Sequence, residues 1–448
     1  MGAQADLQVT DILQRLVRMD TTNPPGNEME CVRYLVELLE PAGIETQIIE
    51  PAPGRGNLLA RLRGSGEAKP FMLMGHLDVV AADAEDWTHP PFDGVIQDGC
   101  LWGRGSTDNK QMVAMATMIL LTLAREGRTL KRDIILAATA DEEKGGTYGM
   151  GWLARNRPEL LEVACALNEG AGSPMKVGDR YFYTCQTAEK GVCRTVWSAR
   201  SAAGHASQPR QDLATWQLAR ALTRLGDGHL GGRVIETMRR ALVTIAETHS
   251  AARGQKVTRL LAKGRIEEAL SETGFSAESA ARNRALFYDT VSPTILEAGH
   301  LDRINVIPSV AQAYLDGRIL PGETQQGFIA RQQEIVGGEI VVALHENQYS
   351  PGLESPADAP IMDVIRSVIA EHANGAMVIP WQCAGSTDAK HLIPRGVPVY
   401  GFIPAKPLPE GLTAGGAHAV DEGIWLESLS FGYEVLYEIT CRYGDQDD

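Results

Sequence analysis

The chain has 448 residues, 44% of them hydrophobic and 22% charged. At roughly 100–200 residues per domain that leaves room for two or three domains with cores that need no metal or disulfide staple. Its 42 Lys and Arg against 57 Asp and Glu give a formal charge of -15, which argues against a nucleic-acid or anionic-membrane partner, since either wants a basic surface.

The predicted elements alternate from the start. Thr10 caps a helix that places Ile12, Leu13, Leu16 and Val17 on one face. A second helix over Glu28–Leu39 stops at Pro41 and Gly43. Strand-like runs follow at Ile44–Ile49, Asn57–Leu62 and Phe71–Met74. Asp98-Gly99 predicts a hairpin turn between Gly94–Gln97 and Cys100–Trp102. Asn109–Arg125 is apolar nearly all round and reads as a buried helix. Its Met112–Ala124 stretch falls short of the about 20 residues of a membrane span. Asp133–Ala140 and Val163–Leu167 read as buried strands, and the alternation predicts an α/β sheet with a parallel portion.

The character changes near Lys190. A strand at Val192–Ser198 precedes a helix-rich stretch from Asp212 to Arg284. Strands return at Thr294–Glu297 and Ala311–Ile319, then a helix at Thr324–Gln333 and a strand at Glu339–Leu344. Asn347–Pro360, with three prolines and a glycine, reads as a linker. A helix, a strand at Val397–Phe402 and a last helix from Asp421 resume the earlier style. The expected organisation is a discontinuous core of 1–189 and 351–448 carrying an inserted domain, 190–350. The N-terminus lacks the basic-then-apolar order of a secretory signal. The seven scattered cysteines include no C-x-x-C, so they are expected to be reduced core residues of a cytoplasmic protein.

Five Gly-bounded segments carry acids or histidines. They are FMLMGHLDVV with His76 and Asp78, GRGSTDNK with Asp108, ATADEEKGG with Asp141, Glu142 and Glu143, ALNEGAG with Glu169, and GGAHAVDE with His418. Several follow apolar runs, where open α/β sheets bind ligands. Each has a plain alternative: Asp108 as a helix N-cap, Glu142-Glu143 as a solvated loop, His418 as a turn residue. Together they supply two histidines and three carboxylates. That is enough for two divalent ions if one carboxylate is shared, with further acids beside them. His76 and Asp78, two apart on extended chain, face the same way, so Asp78 is expected to hydrogen-bond the imidazole nitrogen turned away from a metal. Glu142 and Glu143, being adjacent, point apart, one to metal and one to a substrate water.

These motifs, with WTHPPFDG…LWGRGSTDNK, GHASQP, NVIP…DGRILPG and GSTDAKH, resemble the di-zinc aminoacylase/carboxypeptidase family over nearly the whole chain. Within it they look most like the carboxypeptidase S and N-fatty-acyl-amino-acid hydrolase branch. The resemblance implies a zinc-peptidase-like α/β core with an inserted lid and dimerisation domain. It implies that Asp108 bridges two metals and is followed by a cis peptide. His76 and Glu169 would complete one metal site, Glu143 and His418 the other. Asp78 would orient His76, and Glu142 would be general base and acid. His205 would stabilise the tetrahedral intermediate, in some relatives from a partner subunit. Asn305 and Arg318 would bind substrate, Arg318 through a carboxylate, and Gly385, Ser386 and Thr387 belong to a substrate-side loop. His205 could equally be a turn residue, and Arg318 half of a surface ion pair with Asp316. His229, His249 and His300 fit no motif and are expected at the surface.

The resulting expectation is metal-dependent hydrolysis of an amide next to a free carboxylate, on small peptides. The alternative is N-acyl-amino-acid deacylation, and the remote one an inactive binding scaffold. The cofactor would be two divalent ions, zinc by default, with cobalt or manganese possible. The expected partner is a second copy, with no nucleic acid or membrane. No G-x-S-x-G or G-x-x-x-x-G-K-[ST] occurs, which argues against a serine hydrolase or a nucleotide enzyme.

Overall fold

The computed structural model describes residues 8–208, 210–227 and 230–448, so the expectation for His229 lies outside the described residues. The chain divides into two compact units. The first runs to Thr187 and resumes over Ser355–Pro380 and Thr387–Asp448; the second comprises Ala188–Glu354 with Trp381–Ser386.

A mixed sheet forms the centre of the first unit. Its order is Glu45–Ile49, Asn57–Leu62, Arg132–Thr139, Ala68–His76, Cys165–Asn168, Val399–Gly401 and Arg180–Glu189. The four strands from Arg132–Thr139 to Val399–Gly401 are parallel. Successive side chains alternate between two cores: Phe71 and Leu73 pack with Ile12, Val32, Leu120, Ile365 and Leu436, while Met72 and Met74 pack with Met150, Leu153, Leu161 and Leu392. Burial on both faces is why these strands read as unbroken apolar runs.

Lys110–Glu126 is the helix that links Ala68–His76 to its neighbour Arg132–Thr139, and its buried positions run all round it, as expected. The chain next crosses to Cys165–Asn168 on the other side of Ala68–His76. The order therefore reverses at Ala68–His76, and the crevice at its carboxyl end is the site such topology offers a ligand.

The second unit holds an antiparallel sheet in the order Thr290–Ala298, Val310–Ile319, Gly191–Arg200, Ile340–Ser350. Ala214–Asp227 and Gln325–Val336 pack on it through Ala214, Leu218, Ala221 and Val336. The helix-rich stretch forms Glu236–Glu247, Ala251–Ala262, Ile266–Glu272 and Ala277–Arg284 around its own core, which includes Met238, Leu242, Val257, Leu261, Leu270 and Phe287. His249 and His300 are exposed, as expected.

Several expectations are corrected. The first helix begins at Val9 after Gln8, whose N–H donates to the Asp11 carboxylate at 2.9 Å; Thr10 lies inside the first turn. The proline-rich linker is partly strand: Ile340–Ser350 stays paired as far as Ser350 opposite Val192, and Leu353–Glu354 pairs with Arg180–Glu189. The last helix starts at Leu426, because Gly423–Trp425 is a strand on Cys100–Trp102. The Asp98-Gly99 hairpin stands, with φ of 52° and 75°. All seven cysteines are free, six of them buried. Among the described residues no helix is long and apolar enough to cross a membrane.

Candidate metal centre

The sheet delivers three acidic or imidazole groups to one edge. His76 is the last residue of Ala68–His76, the Asp141–Glu143 turn follows Arg132–Thr139, and Glu169 follows Cys165–Asn168. The Gly103–Asn109 loop and the loop of His418 complete the group. Asp108 sits at its centre: Oδ1 lies 3.0 Å from His76 Nε2 and Oδ2 lies 3.2 Å from His418 Nε2. Glu169 Oε2 is 3.5 Å from the same nitrogen of His76, and Glu143 Oε1 is 3.1 Å from that of His418.

Two triads result, His76–Asp108–Glu169 and Asp108–Glu143–His418, each with its ligand atoms within 4.8 Å of one another. Tetrahedral donors 2.0–2.2 Å from an ion stand roughly 3.3–3.6 Å apart. The observed separations are close to that, and the set of imidazole and carboxylate donors suits divalent transition metals. The peptide after Asp108 is cis.

The charges press on one another. Burial alone would raise the Asp108 carboxyl, but His418 and His76 overcome it and hold the group far below the usual carboxylate range. His418 is pushed up to about 9, chiefly by its bond to Asp108. Burial opposes protonation of His76, yet Glu169 and Asp108 carry it well above its ordinary value. Burial raises Glu143. Glu142 is also raised well above its ordinary value by burial, against the pull of Lys390, whose Nζ is 3.3 Å from Glu142 Oε1.

Asp78 does more than expected, and differently. The nearest acceptor for His76 Nδ1 is the Asp78 backbone carbonyl at 2.9 Å, with the carboxylate at 3.5 Å. The carboxylate takes the backbone N–H groups of Glu142 at 3.0 Å and Glu143 at 3.2 Å, and Asn23 Nδ2 at 2.8 Å. It therefore ties the His76 strand to the turn that carries both glutamates. That turn is shaped by Gly145 and Gly146 at φ 95° and 73°; a Cβ at Gly146 would lie 2.8 Å from His391 Nε2 and 2.9 Å from Asp388 Oδ1.

Sequence reasoning missed the groups behind the turn. Arg55 is buried and bonds Glu28 at 2.7 Å and Asp141 at 3.0 Å, and Asn23 joins Asp141 at 3.0 Å. Asn109 donates to Glu169 at 2.8 Å. Asn109 and Lys390 lay inside motifs already singled out, GRGSTDNK and GSTDAKH, but without an assigned role.

Of the remaining expected residues, His205, Asn305, Arg318, Gly385 and Ser386 belong to the second unit and Thr387 to the first. Gly204–His205 pairs with Val306–Ile307, and the Ala206 N–H donates to the Asn305 carbonyl at 2.9 Å, so His205 and Asn305 share one exposed ribbon. His205 Nδ1 accepts the Ser207 N–H at 3.2 Å. Arg318 is partly exposed and pairs with Asp316 at 2.6 Å. The Gly385 N–H meets Cys383 Sγ at 3.3 Å, and Thr387 is buried, its hydroxyl accepting the Ala389 N–H at 3.1 Å.

The sequence matches the family described as Peptidase family M20/M25/M40 over residues 72–442. It is 25% identical over 410 residues to the N-fatty-acyl-amino acid synthase/hydrolase PM20D1 of Bos taurus, covering 88% of this chain and 78% of that one. The fold is similar to the M20 family metallo-carboxypeptidase Sso-CP2 from Sulfolobus solfataricus, at TM-score 0.72 and 18% identity, over 98% of this chain and 100% of that one. It is also similar to the Bacillus subtilis YXEP protein, described as a dinuclear metal binding peptidase, at TM-score 0.62 and 14% identity, over 97% of each chain.

Proposed function

Because the chain belongs to peptidase family M20/M25/M40 and so is a metallo-hydrolase, we propose that it cleaves an amide bond next to a free carboxylate. It would act as a carboxypeptidase or dipeptidase on small peptides in the cytoplasm. The observation that carries this reading is Asp108, whose two oxygens face different histidines at 3.0 and 3.2 Å. His76, Asp108 and Glu169 would hold one divalent ion and Asp108, Glu143 and His418 a second, zinc by default. When bound, the ions would polarise the scissile carbonyl and acidify the attacking water.

The chain's own groups do the rest. Only 11% of the Glu142 side chain is exposed, and this partial burial brings its carboxyl toward neutrality, where a base can also return a proton. It takes the proton of the attacking water and passes it to the leaving nitrogen. Lys390 holds Glu142 from the side, and Asp78 fixes its backbone. His205 is the proposed oxyanion donor: Nδ1 accepts from Ser207, which puts the proton of neutral imidazole on Nε2. Arg318 is the proposed partner of the substrate carboxylate, in a planar two-pronged contact, and would leave or share Asp316. Asn305, Gly385, Ser386 and Thr387 carry over as substrate-side groups. Arg318→Ala should raise KM for carboxylate substrates with little change in kcat; an unchanged KM rejects that role.

A homodimer through the second unit completes the proposal. Thr290–Ala298 is an edge strand, with Ile295 52% and Leu296 63% exposed, and an open edge is a template for pairing.

The similarity to an N-fatty-acyl-amino acid hydrolase favours a second reading, N-acyl-amino-acid deacylation on the same site. Release of free amino acid from a dipeptide panel and an N-acyl-amino-acid panel, with and without chelator, tests both. Chelator-sensitive release from dipeptides is expected. Release only from N-acyl substrates would establish the second reading, and no release after zinc, cobalt or manganese is added would mark an inactive scaffold.

A further inference from the structure

The two triads are not held in the same way. His76 is 2% exposed and ends a nine-residue strand. His418 has a side chain 55% exposed and stands in a loop at φ 64°. Neither a strand nor side-chain burial fixes it, so something else must set its distance from Asp108.

That group is Glu422, four residues on and fully buried. Oε1 accepts the Thr107 N–H at 2.7 Å, the Thr107 hydroxyl at 2.9 Å and the Asp108 N–H at 3.1 Å. Oε2 accepts Arg104 Nη1 at 2.7 Å and the Gly105 N–H at 3.2 Å. One carboxylate thus collects five donors from the loop that presents Asp108. Its own backbone carbonyl accepts the Gly103 N–H at 2.9 Å. Around it the His418 loop is tied down twice more. Asp421 accepts the Thr88 N–H and hydroxyl, each at 2.8 Å, and Gly423–Trp425 pairs with Cys100–Trp102.

We propose that Glu422 is a positioning residue that sets the separation of Asp108 and His418 and thereby builds the Asp108–Glu143–His418 site, touching neither substrate nor metal. The proposal rests on the two-ion reading above. The other site depends on Glu422 less, because His76 comes from the sheet and Glu169 is held by Asn109. Only a carboxylate can serve. Glutamine has the same size, but its amide nitrogen would face N–H donors on whichever side it turned, breaking two or three of the five bonds and leaving buried donors unpaired.

The test is metal binding. Apoprotein is titrated with Co²⁺, followed by calorimetry and visible absorption, for the wild type, Glu422→Gln, Thr107→Val and the one-site reference His418→Ala. Wild type should take two ions. Glu422→Gln should keep one near wild-type affinity and bind the second about 10–100-fold more weakly, the usual cost of losing a group that orients a ligand. Its titration should approach that of His418→Ala. Thr107→Val removes one bond and should show the same split to a smaller degree, which decides the matter if Glu422→Gln does not fold. Two ions bound unchanged, or both weakened alike with the fall in stability, would overturn the positioning role. A wild type that binds fewer than two ions would overturn the two-ion reading itself.

Discussion

The His76 and His418 triads share Asp108 and the same donor types, yet they are built from different parts of the fold. The first stands on strand ends beneath a core packed on both faces, so its geometry comes with the sheet. The second stands on loops and depends on side-chain hydrogen bonds: Asp78 to the Glu142-Glu143 backbone, Glu422 to the Asp108 loop. Ligands on strand ends inherit rigidity from burial, whereas ligands on loops need dedicated polar anchors.

The largest expected effect bears on what both triads serve. Glu142→Ala should lower kcat by about 10²–10⁴-fold while metal content stays as in wild type; near-wild-type turnover would remove Glu142 as base. Next comes the comparison itself. His418→Ala should lose one ion and keep the other, whereas Asp108→Ala should lose both, because only Asp108 belongs to both triads. Elemental analysis decides, and equal losses in the two variants would dissolve the distinction.

The third effect concerns the turn under the loop-built triad. Gly146→Ala meets a left-handed φ of 73° and two close side-chain atoms. It should destabilise the protein by about 1–3 kcal/mol, measured by denaturant unfolding; an unchanged midpoint would mean that the turn accepts a side chain.

The smallest is a pH effect in the same place. His391 Nε2 lies 3.2 Å from the Gly145 carbonyl, and burial, then Lys390, push its pKa down to about 4 from about 6.5. Between those values the unfolded chain binds the extra proton, so this contribution is present above about 6.5 and is lost as pH falls through about 4. His391→Asn should flatten the fall in melting temperature between pH 6.5 and 4. An identical slope in both proteins would assign that fall to other groups.

The candidate ligands were legible in the sequence because each lies in a short Gly-bounded segment, two of them, His76 and Glu169, at the ends of apolar strands. The pairings that anchor them were not. Arg55 holds Asp141 from 86 positions away and Glu422 holds Arg104 from 318, and no local spacing marks such a pair. The misread linker has a similar cause: Pro351 and Gly352 suggest a break, but pairing with Gly191–Arg200 carries the strand to Ser350. Thr10 is the better capping type, but the helix begins at Val9 and its cap position falls on Gln8.

The most direct test is diffraction from crystals grown with zinc, with data collected at the zinc edge. Two anomalous peaks about 3.5–4 Å apart should flank Asp108, one against His76 and Glu169, the other against Glu143 and His418. A single peak, or peaks away from Asp108, would contradict the shared-carboxylate centre on which the proposed chemistry depends.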